Sequence, residues 1–485
     1  MTSSVLNKLI SRGGLFLGLS CALLSGCSRV DHKQSALDPK GLVAQNQYDV
    51  FMLSVWITIF LFCAVGGCLL YVLWKYRVKN EEEAKEVPPQ THGDPKIEIG
   101  LILASSVILV ILAVPTLQGV VLMNRVPNPD SENFERLGLE TEQIDGAITV
   151  NVTGKRYFWI FEYPQFGIVT ANELVFPATK AVRINLRSED VIHSFWLPKL
   201  AGKMDAMPGH ENFMWFIADE KKITSRYDSN GTLVKISQSD AMPSVHDGKM
   251  RTVVHKKQNF TDEFEPVSGL FYGQCAEFCG NSHAYMSFRG LAQTDDDFDA
   301  WVKRMQDAQN PNLQPKPYDP EKEYDKDSVV TFADDSLEKD AIREYRAIES
   351  ADKGEAPNLS SGVWEKARSD DYEHGKALFA SHLCGQCHAV NRTGIGAAGP
   401  NLTLFGLRTS LAAGWMRNDE ENLSVWLRDS NSVKFGNLMW NGKDVTDDHP
   451  LRKLKQEKND KGNLINEEEK LLKVRQLTAY LLGQD

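Results

Sequence analysis

The chain has 485 residues, 42% of them hydrophobic and 25% charged, with a formal net charge of -11. At about 100–200 residues per domain that length implies two to four units. The acidic balance and the lack of a Gly-rich phosphate loop exclude nucleic acid as a partner and nucleotide chemistry as the function. Eight cysteines are too few for a disulfide scaffold of this size, so their positions carry the argument.

Residues 1–26 read as an export signal, with Lys8 and Arg12 as the charged start and Leu15 to Leu24 as the apolar middle. The end, Leu24-Ser25-Gly26-Cys27, has the pattern of a bacterial lipobox, in which Cys27 is lipidated and becomes the new N-terminus. An ordinary cleaved signal with a chance cysteine is the alternative. Residues 27–45 follow as an exterior tether and 46–126 as a transmembrane hairpin. Its two runs, 50–73 and 100–123, are each 24 residues without a charge; about 20 apolar residues span a bilayer core. Lys75, Arg77, Lys79, Lys85 and Lys96 between them favour a cytoplasmic loop. The N-terminus and everything after residue 124 then lie outside a bacterial cytoplasmic (inner) membrane crossed twice. Glu98, just before the second run, is a carboxylate of the kind a helix N-terminus favours.

From residue 146 the periodicity changes to two. Ile148, Val150 and Val152 alternate with polar residues, as do Val182, Ile184 and Leu186, which predicts an antiparallel β sandwich or barrel over 146–305. At its end stands Cys275-Ala-Glu-Phe-Cys279-Gly-Asn-Ser-His283-Ala-Tyr-Met286. Thiolate and thioether favour copper over magnesium or calcium, and methionine is a poor zinc ligand. A mononuclear site needs one cysteine; the second lets two sulfurs bridge two copper ions. The further imidazole must come from elsewhere, and His193 in His193-Ser-Phe-Trp-Leu-Pro198 is the best candidate. A Cys275–Cys279 disulfide or a zinc site are the competing readings.

These motifs, with Gly202-Lys-Met-Asp-Ala-Met-Pro-Gly209 and Gly273-Gln-Cys-Ala-Glu-Phe-Cys-Gly280, resemble subunit II of the haem–copper cytochrome c oxidases over roughly residues 40–305. The resemblance implies a cupredoxin-like (Greek-key) fold and a dinuclear CuA centre. Its ligands would be His193, Cys275, Cys279, His283, Met286 and the backbone carbonyl of Glu277. The Glu277 side chain would reach a magnesium ion shared with subunit I, and Glu98 would stand at the mouth of a proton-uptake path. Two departures stand out. An insertion of residues 221–265 is polar, with a hairpin turn at Asn230-Gly231 and two histidines, His246 and His255, read as surface residues. In Gly154-Lys-Arg-Tyr-Phe-Trp159, Tyr157 replaces the tryptophan that in the family accepts electrons.

Residues 306–368 carry Pro311, Pro315, Pro317 and Pro320 and then an acidic stretch. They read as a solvated linker with one short helix near 337–348, and about 60 flexible residues would reach roughly 40–50 Å. In the last module, 369–485, Cys384-Gly-Gln-Cys387-His388 is the attachment signature of a c-type haem. The flanks resemble a small all-α class I cytochrome c. Helices are expected near Ala377 to Phe379 and from Val474 to Leu482, and Lys434-Phe-Gly-Asn-Leu-Met439 matches the loop of the sixth ligand. Met416 is the only rival for that ligand downstream of the haem motif.

The resemblance thus implies a membrane-bound oxidoreductase of the respiratory chain, a translocase subunit. Electrons would pass from an external donor (cytochrome c or a bc complex) to haem c, CuA and then subunit I, with other oxidase subunits as further partners. Oxygen reduction and proton pumping would lie in subunit I. The competing readings are the CuA-bearing subunit of a nitric oxide reductase and a free-standing electron carrier or copper-delivery protein.

Overall fold

The computed structural model describes residues 33–78, 87, 93–124, 146–223, 225–227, 233–235, 269–310, 313–333, 342–357, 362–382, 384–391, 398–439 and 466–484. Cys27 and the export signal lie outside these residues, as do His246, His255 and most of the 221–265 insertion. The chain forms two compact units: residues 1–145 with 198–202 and 215–217, and the remainder.

The first unit contains helices α1 (Leu42–Lys75) and α2 (Pro95–Met123), both long and apolar enough to cross a membrane. The first begins well before the uncharged run at 50. Asp94 caps α2 by accepting from the Lys96 amide, and Pro95 fills a first-turn position where no amide partner is needed. Side chains such as Phe62 and Leu117 are exposed around the helices, as a lipid-facing helix requires. Their hydroxyls turn inward: Thr58 donates to the Ser54 carbonyl (2.8 Å) and Thr116 to the Leu112 carbonyl (2.7 Å), so these polar groups are satisfied without water.

The second unit opens with a sandwich of two five-stranded sheets. Its strands are β1 (Ile148–Lys155), β2 (Phe158–Tyr163), β3 (Ile168–Ala171), β4 (Glu173–Pro177), β5 (Val182–Ser188), β6 (His193–Trp196), β7 (Lys203–Ala206) and β8 (Asn212–Phe216). After the short hairpin β9 (Ser225–Tyr227) and β10 (Leu233–Lys235) come β11 (Leu270–Cys275) and β12 (Ser287–Gln293). The orders are β3-β2-β1-β5-β8 and β4-β12-β11-β6-β7. The alternation is realised, with Ile148, Val150, Val152, Val182, Ile184 and Leu186 all buried. An all-antiparallel sandwich is not what forms: β1 pairs β5 in parallel, and β4 pairs β12 in parallel. The chain crosses between sheets before returning to each, which removes the constraint of hairpin pairing. Aromatic residues fill the gap, with Phe195 stacked on Phe288 at 4.4 Å and Trp159 edge-on to both. Helix α3 (Asp295–Gln309), capped by Thr294, closes the sandwich.

The stretch 306–368 is not a spacer. It forms a four-stranded sheet of β13 (Lys316–Pro317), β14 (Val329–Ala333), β15 (Ile342–Ala347) and β16 (Trp364–Lys366). Residues 342–347 are a strand where a helix was expected, and 337–341 lie outside the described residues. Tyr324, Val330, Tyr345, Ala347 and Trp364 make a small core, with Trp364 Nε1 donating to the Glu355 carbonyl at 3.0 Å. Burial of these spaced aromatics outweighs the solvation of the charges between them. Trp364→Ala should therefore cost about 3–5 kcal/mol. Thermal unfolding of the full chain should show the loss.

Ion pairs join this sheet to the C-terminal module: Arg343 to Asp370 (2.7 Å) and Lys376 to Glu344 (2.8 Å). Its helices are α4 (Asp370–Ser381), α5 (Glu420–Arg428), α6 (Ser430–Val433) and α7 (Glu467–Leu482). Ser369 caps α4, Asp419 caps α5, and Asn466 with Glu469 forms a capping box on α7. Tyr372, Phe379, Leu423, Leu427, Leu477 and Leu481 belong to the common core. The module is not all-α among the described residues, because β17 (Ser410–Leu411) and β18 (Met416–Arg417), which precede α5 in the chain, form a small hairpin.

Candidate metal centre

Antiparallel pairing of β11 with β6 sets Cys275 opposite Phe195 and Gln274 opposite Trp196. That register carries His193, at the start of β6, beside the end of β11. Gly154 makes room for the imidazole, since a Cβ there would lie 2.7 Å from His193 Cδ2. The chain then loops from 276 to 286 and returns as β12. The Cys275 amide donates to the Met286 carbonyl (2.8 Å) and the Ala276 amide to the Ser194 carbonyl (2.9 Å). The loop is tightened by a single 3-10 turn over His283–Tyr285.

These constraints gather the donors. Cys275 Sγ lies 3.9 Å from Cys279 Sγ and 3.8 Å from His193 Nδ1. Cys279 Sγ lies 3.6 Å from His283 Nδ1 and 3.8 Å from Met286 Sδ. The Glu277 carbonyl is 3.2 Å from Cys275 Sγ, while its side chain is exposed. Two donors sharing one tetrahedral ion at N and S bond lengths of 2.0–2.3 Å stand about 3.5–3.8 Å apart, so the set has metal-binding spacing. Cys275 and Cys279 are free thiols in this structure and not joined as a disulfide. His193, Cys275, Cys279 and Met286 are buried and His283 is half-buried.

Electrostatics support a thiolate site. The close pairing of the two sulfurs holds the Cys275 thiol well below the usual range and pushes the Cys279 thiol upward. Asp190, which sequence reasoning passed over, takes His193 Nε2 at 2.8 Å and leaves Nδ1 for the metal. Despite its partial burial, the Arg156 and Val191 amides and His193 hold Asp190 down to about 2.

The C-terminal signature lies in a short turn. The amides of Cys387 and His388 both donate to the Cys384 carbonyl (3.2 and 3.0 Å), so the two thiols and the imidazole leave one backbone turn. His388 Nδ1 bonds the Pro400 carbonyl at 2.9 Å, which commits that nitrogen and frees Nε2 as a ligand. Burial pushes the His388 imidazole downward, toward its neutral, ligating form, and pushes the Cys384 thiol up to about 12. Cys384 and Cys387 are free. The set fits covalent haem. Met439 is half-buried on a loop braced by Asn437 Nδ2 to the Lys434 carbonyl (2.7 Å). Met416 is buried in the module's own core and serves packing.

This module is seated on the sandwich within the same compact unit. Glu173 on β4 is buried and its Oε1 accepts from the amides and hydroxyls of Thr409 and Ser410 at 2.7–3.0 Å. Its rung partner Arg289 on β12 donates to the Gly414 carbonyl at 2.7 Å. Tyr285 meets Trp415 edge-on at 4.9 Å. Lys434, which burial pushes down to about 7, donates from Nζ to the Tyr157 carbonyl at 2.5 Å. Tyr157 itself is buried beside Gly280 of the copper loop. Nothing local in the sequence marks Glu173, Arg289 or Lys434. Glu98 is exposed in the first turn of α2.

Residues 167–248 match the family described as cytochrome c oxidase subunit II, periplasmic domain. The chain is 30% identical over 435 residues to cytochrome c oxidase subunit 2 of Alkalihalophilus pseudofirmus, covering 89% of this chain and 92% of that one. It is 32% identical over 440 residues to the protein of the same name from Bacillus sp. PS3, covering 90% and 93%. For the Bacillus subtilis protein the identity is 28% over 429 residues, covering 88% and 90%.

Proposed function

The chain belongs to the cytochrome c oxidase subunit II family, and we propose that it passes electrons from an external donor through its own haem c to a dinuclear CuA centre and on to subunit I for reduction of dioxygen to water. Membership makes it an oxidoreductase component of a terminal oxidase with a copper-binding, cupredoxin-like domain. The proposal adds the haem, the direction of flow and the coupling to proton pumping. Bound copper and haem c supply one-electron carriers at their sites. The carrying observation is a buried His193–Cys275–Cys279–Met286 cluster in one compact unit with Cys384, Cys387 and His388.

In this reading Cys275, Cys279, His193, His283, Met286 and the Glu277 carbonyl would hold the copper, the two thiolates as its main ligands and Met286 and the carbonyl as weaker ones. The exposed Glu277 carboxylate is free to reach a magnesium ion shared with subunit I. Asp190 holds the tautomer of His193, and the aromatic core beneath keeps water from the sulfurs. Cys384 and Cys387 would attach the haem covalently, and His388 Nε2 and Met439 would hold its iron. Helices α1 and α2 anchor the chain in a bacterial cytoplasmic membrane, with the redox modules outside and Cys27 as a lipid anchor. The test is purification of the complex from detergent-solubilised membranes. A copper-thiolate EPR signal, a c-type haem spectrum and oxygen consumption are expected. Consumption of nitric oxide without oxygen, or a chain that runs alone, would overturn the reading.

Glu98 belongs to the proton side of this proposal. A carboxylate at the bilayer edge is inexpensive where it faces water or a polar cavity in a partner. Glu98→Ala should slow steady-state turnover by roughly the 10²–10⁴-fold range of lost proton-transfer groups at most, with copper and haem spectra unchanged. Wild-type turnover in a fully assembled complex would return Glu98 to a helix-end role.

A further inference from the structure

The loop that bears Met439 touches the copper loop at two adjacent points and the β1–β2 turn at a third. Ser282, fully buried, donates its hydroxyl to the Phe435 carbonyl. Lys434 Nζ donates to the Tyr157 carbonyl. Gly436, at φ +75°, sits so close that a Cβ there would lie 2.6 Å from Asn281 Cβ. Ser282 immediately precedes His283, whose Nδ1 is 3.6 Å from Cys279 Sγ. The methionine loop cannot swing freely, because the Gly436 amide donates to Asn431 Oδ1 at 2.9 Å and Asn437 ties back to Lys434.

Resting on the function proposed above, we infer that electrons cross between the two modules at the Ser282 hydroxyl–Phe435 carbonyl hydrogen bond, with Lys434 and Gly436 as the residues that position it. One electron leaves the haem site and one arrives at the copper site. No bond forms or breaks, and Ser282 keeps its proton. The connection runs from the methionine loop through one hydrogen bond into the backbone of a copper ligand. Its companion contact uses the carbonyl of Tyr157 and not its ring, so replacement of tryptophan by tyrosine at 157 leaves the crossing intact. The Glu173 and Arg289 contacts lie on β4 and β12 and hold the module's register without joining the crossing itself.

The test uses the full chain in its complex, with Ser282→Ala to delete the hydrogen bond and Gly436→Ala to wedge the loops apart. Copper EPR and haem optical spectra are recorded first. Their loss in the wild type would overturn the function proposed above, separately from this inference. Amide hydrogen exchange over 280–286 and 434–439 then reports the contact without any electron transfer. The wild type should be protected, and Gly436→Ala should exchange faster in both segments. With unchanged spectra, photoinduced reduction of the haem should be followed by slower copper reduction in Ser282→Ala than in the wild type, because a through-space gap replaces the hydrogen-bonded link. Gly436→Ala should be slower still. Wild-type copper reduction in both variants, or the absence of protection in the wild type, would overturn the inference.

Discussion

Cys279→Ser should leave at most a mononuclear copper site and stop electron flow. Cys279 is the central donor of the cluster: its sulfur lies 3.9 Å from Cys275 Sγ, 3.6 Å from His283 Nδ1 and 3.8 Å from Met286 Sδ. It is also 4% exposed, so no water or neighbouring side chain can take its place. Serine offers a hard, protonated oxygen where the site needs a soft bridging thiolate. Even an outer-shell partner of a metal ligand costs about 10–100-fold when removed, so loss of a bridging ligand should exceed about 100-fold in oxygen consumption. On the proposed dinuclear reading, the wild type should give a multiline EPR signal and near-infrared absorption from two equivalent copper positions sharing one unpaired electron. Near-identical surroundings for both ions lower reorganisation, which fast transfer requires. The serine variant should show a simple four-line copper spectrum or none. An unaltered multiline spectrum would sink the assignment of Cys279 as a bridge.

How far this centre could be read from sequence depends on chain distance. Cys275, Cys279, His283 and Met286 fall within one loop, so spacing alone exposed their chemistry. His193 stands 82 residues earlier than Cys275 and was legible only through the family motif around it. Asp190 had no signal beyond lying three residues before that histidine. The seat of the C-terminal module was invisible. Glu173 meets Ser410 across 237 residues and Arg289 meets Gly414 across 125, and in isolation each looks like a solvated charge on a sheet face. Burial at 4% and 1% becomes intelligible only when the partner surface is present. The segment 306–368 misled for a related reason. Its charges and prolines dominate any local average, while Tyr318, Tyr324, Tyr345 and Trp364 are too widely spaced to show a period. Tertiary contact between them decides the structure, with Tyr324 and Trp364 at 5.7 Å and Tyr318 and Tyr324 stacked at 5.6 Å. The helix starts carried a local signal that the sequence reading left unused: Ser369, Asp419 and Asn466 are capping residues followed by acids.

That folded segment changes the expected result at Met439. A flexible tether would let the haem module sample many poses and lend only a high effective concentration. Here the segment is a sheet ion-paired to α4, and the module is keyed to the sandwich by Glu173, Arg289 and Lys434. Transfer should therefore follow single-exponential kinetics from one pose, independent of protein concentration. Met439→Leu removes the thioether that raises the potential of a His/Met haem, while leucine keeps a similar apolar volume and a packed loop. The haem potential should fall strongly or the site should become five-coordinate, and copper reduction by the natural donor should slow sharply. A small artificial reductant should still reduce copper at the wild-type rate, because none of the copper donors is touched. Hydrogen exchange over 434–439 should stay close to wild type, which separates a change in potential from an unseated loop. If the natural donor reduces copper equally fast in Met439→Leu, the haem is a side branch and electrons reach His283 from another surface.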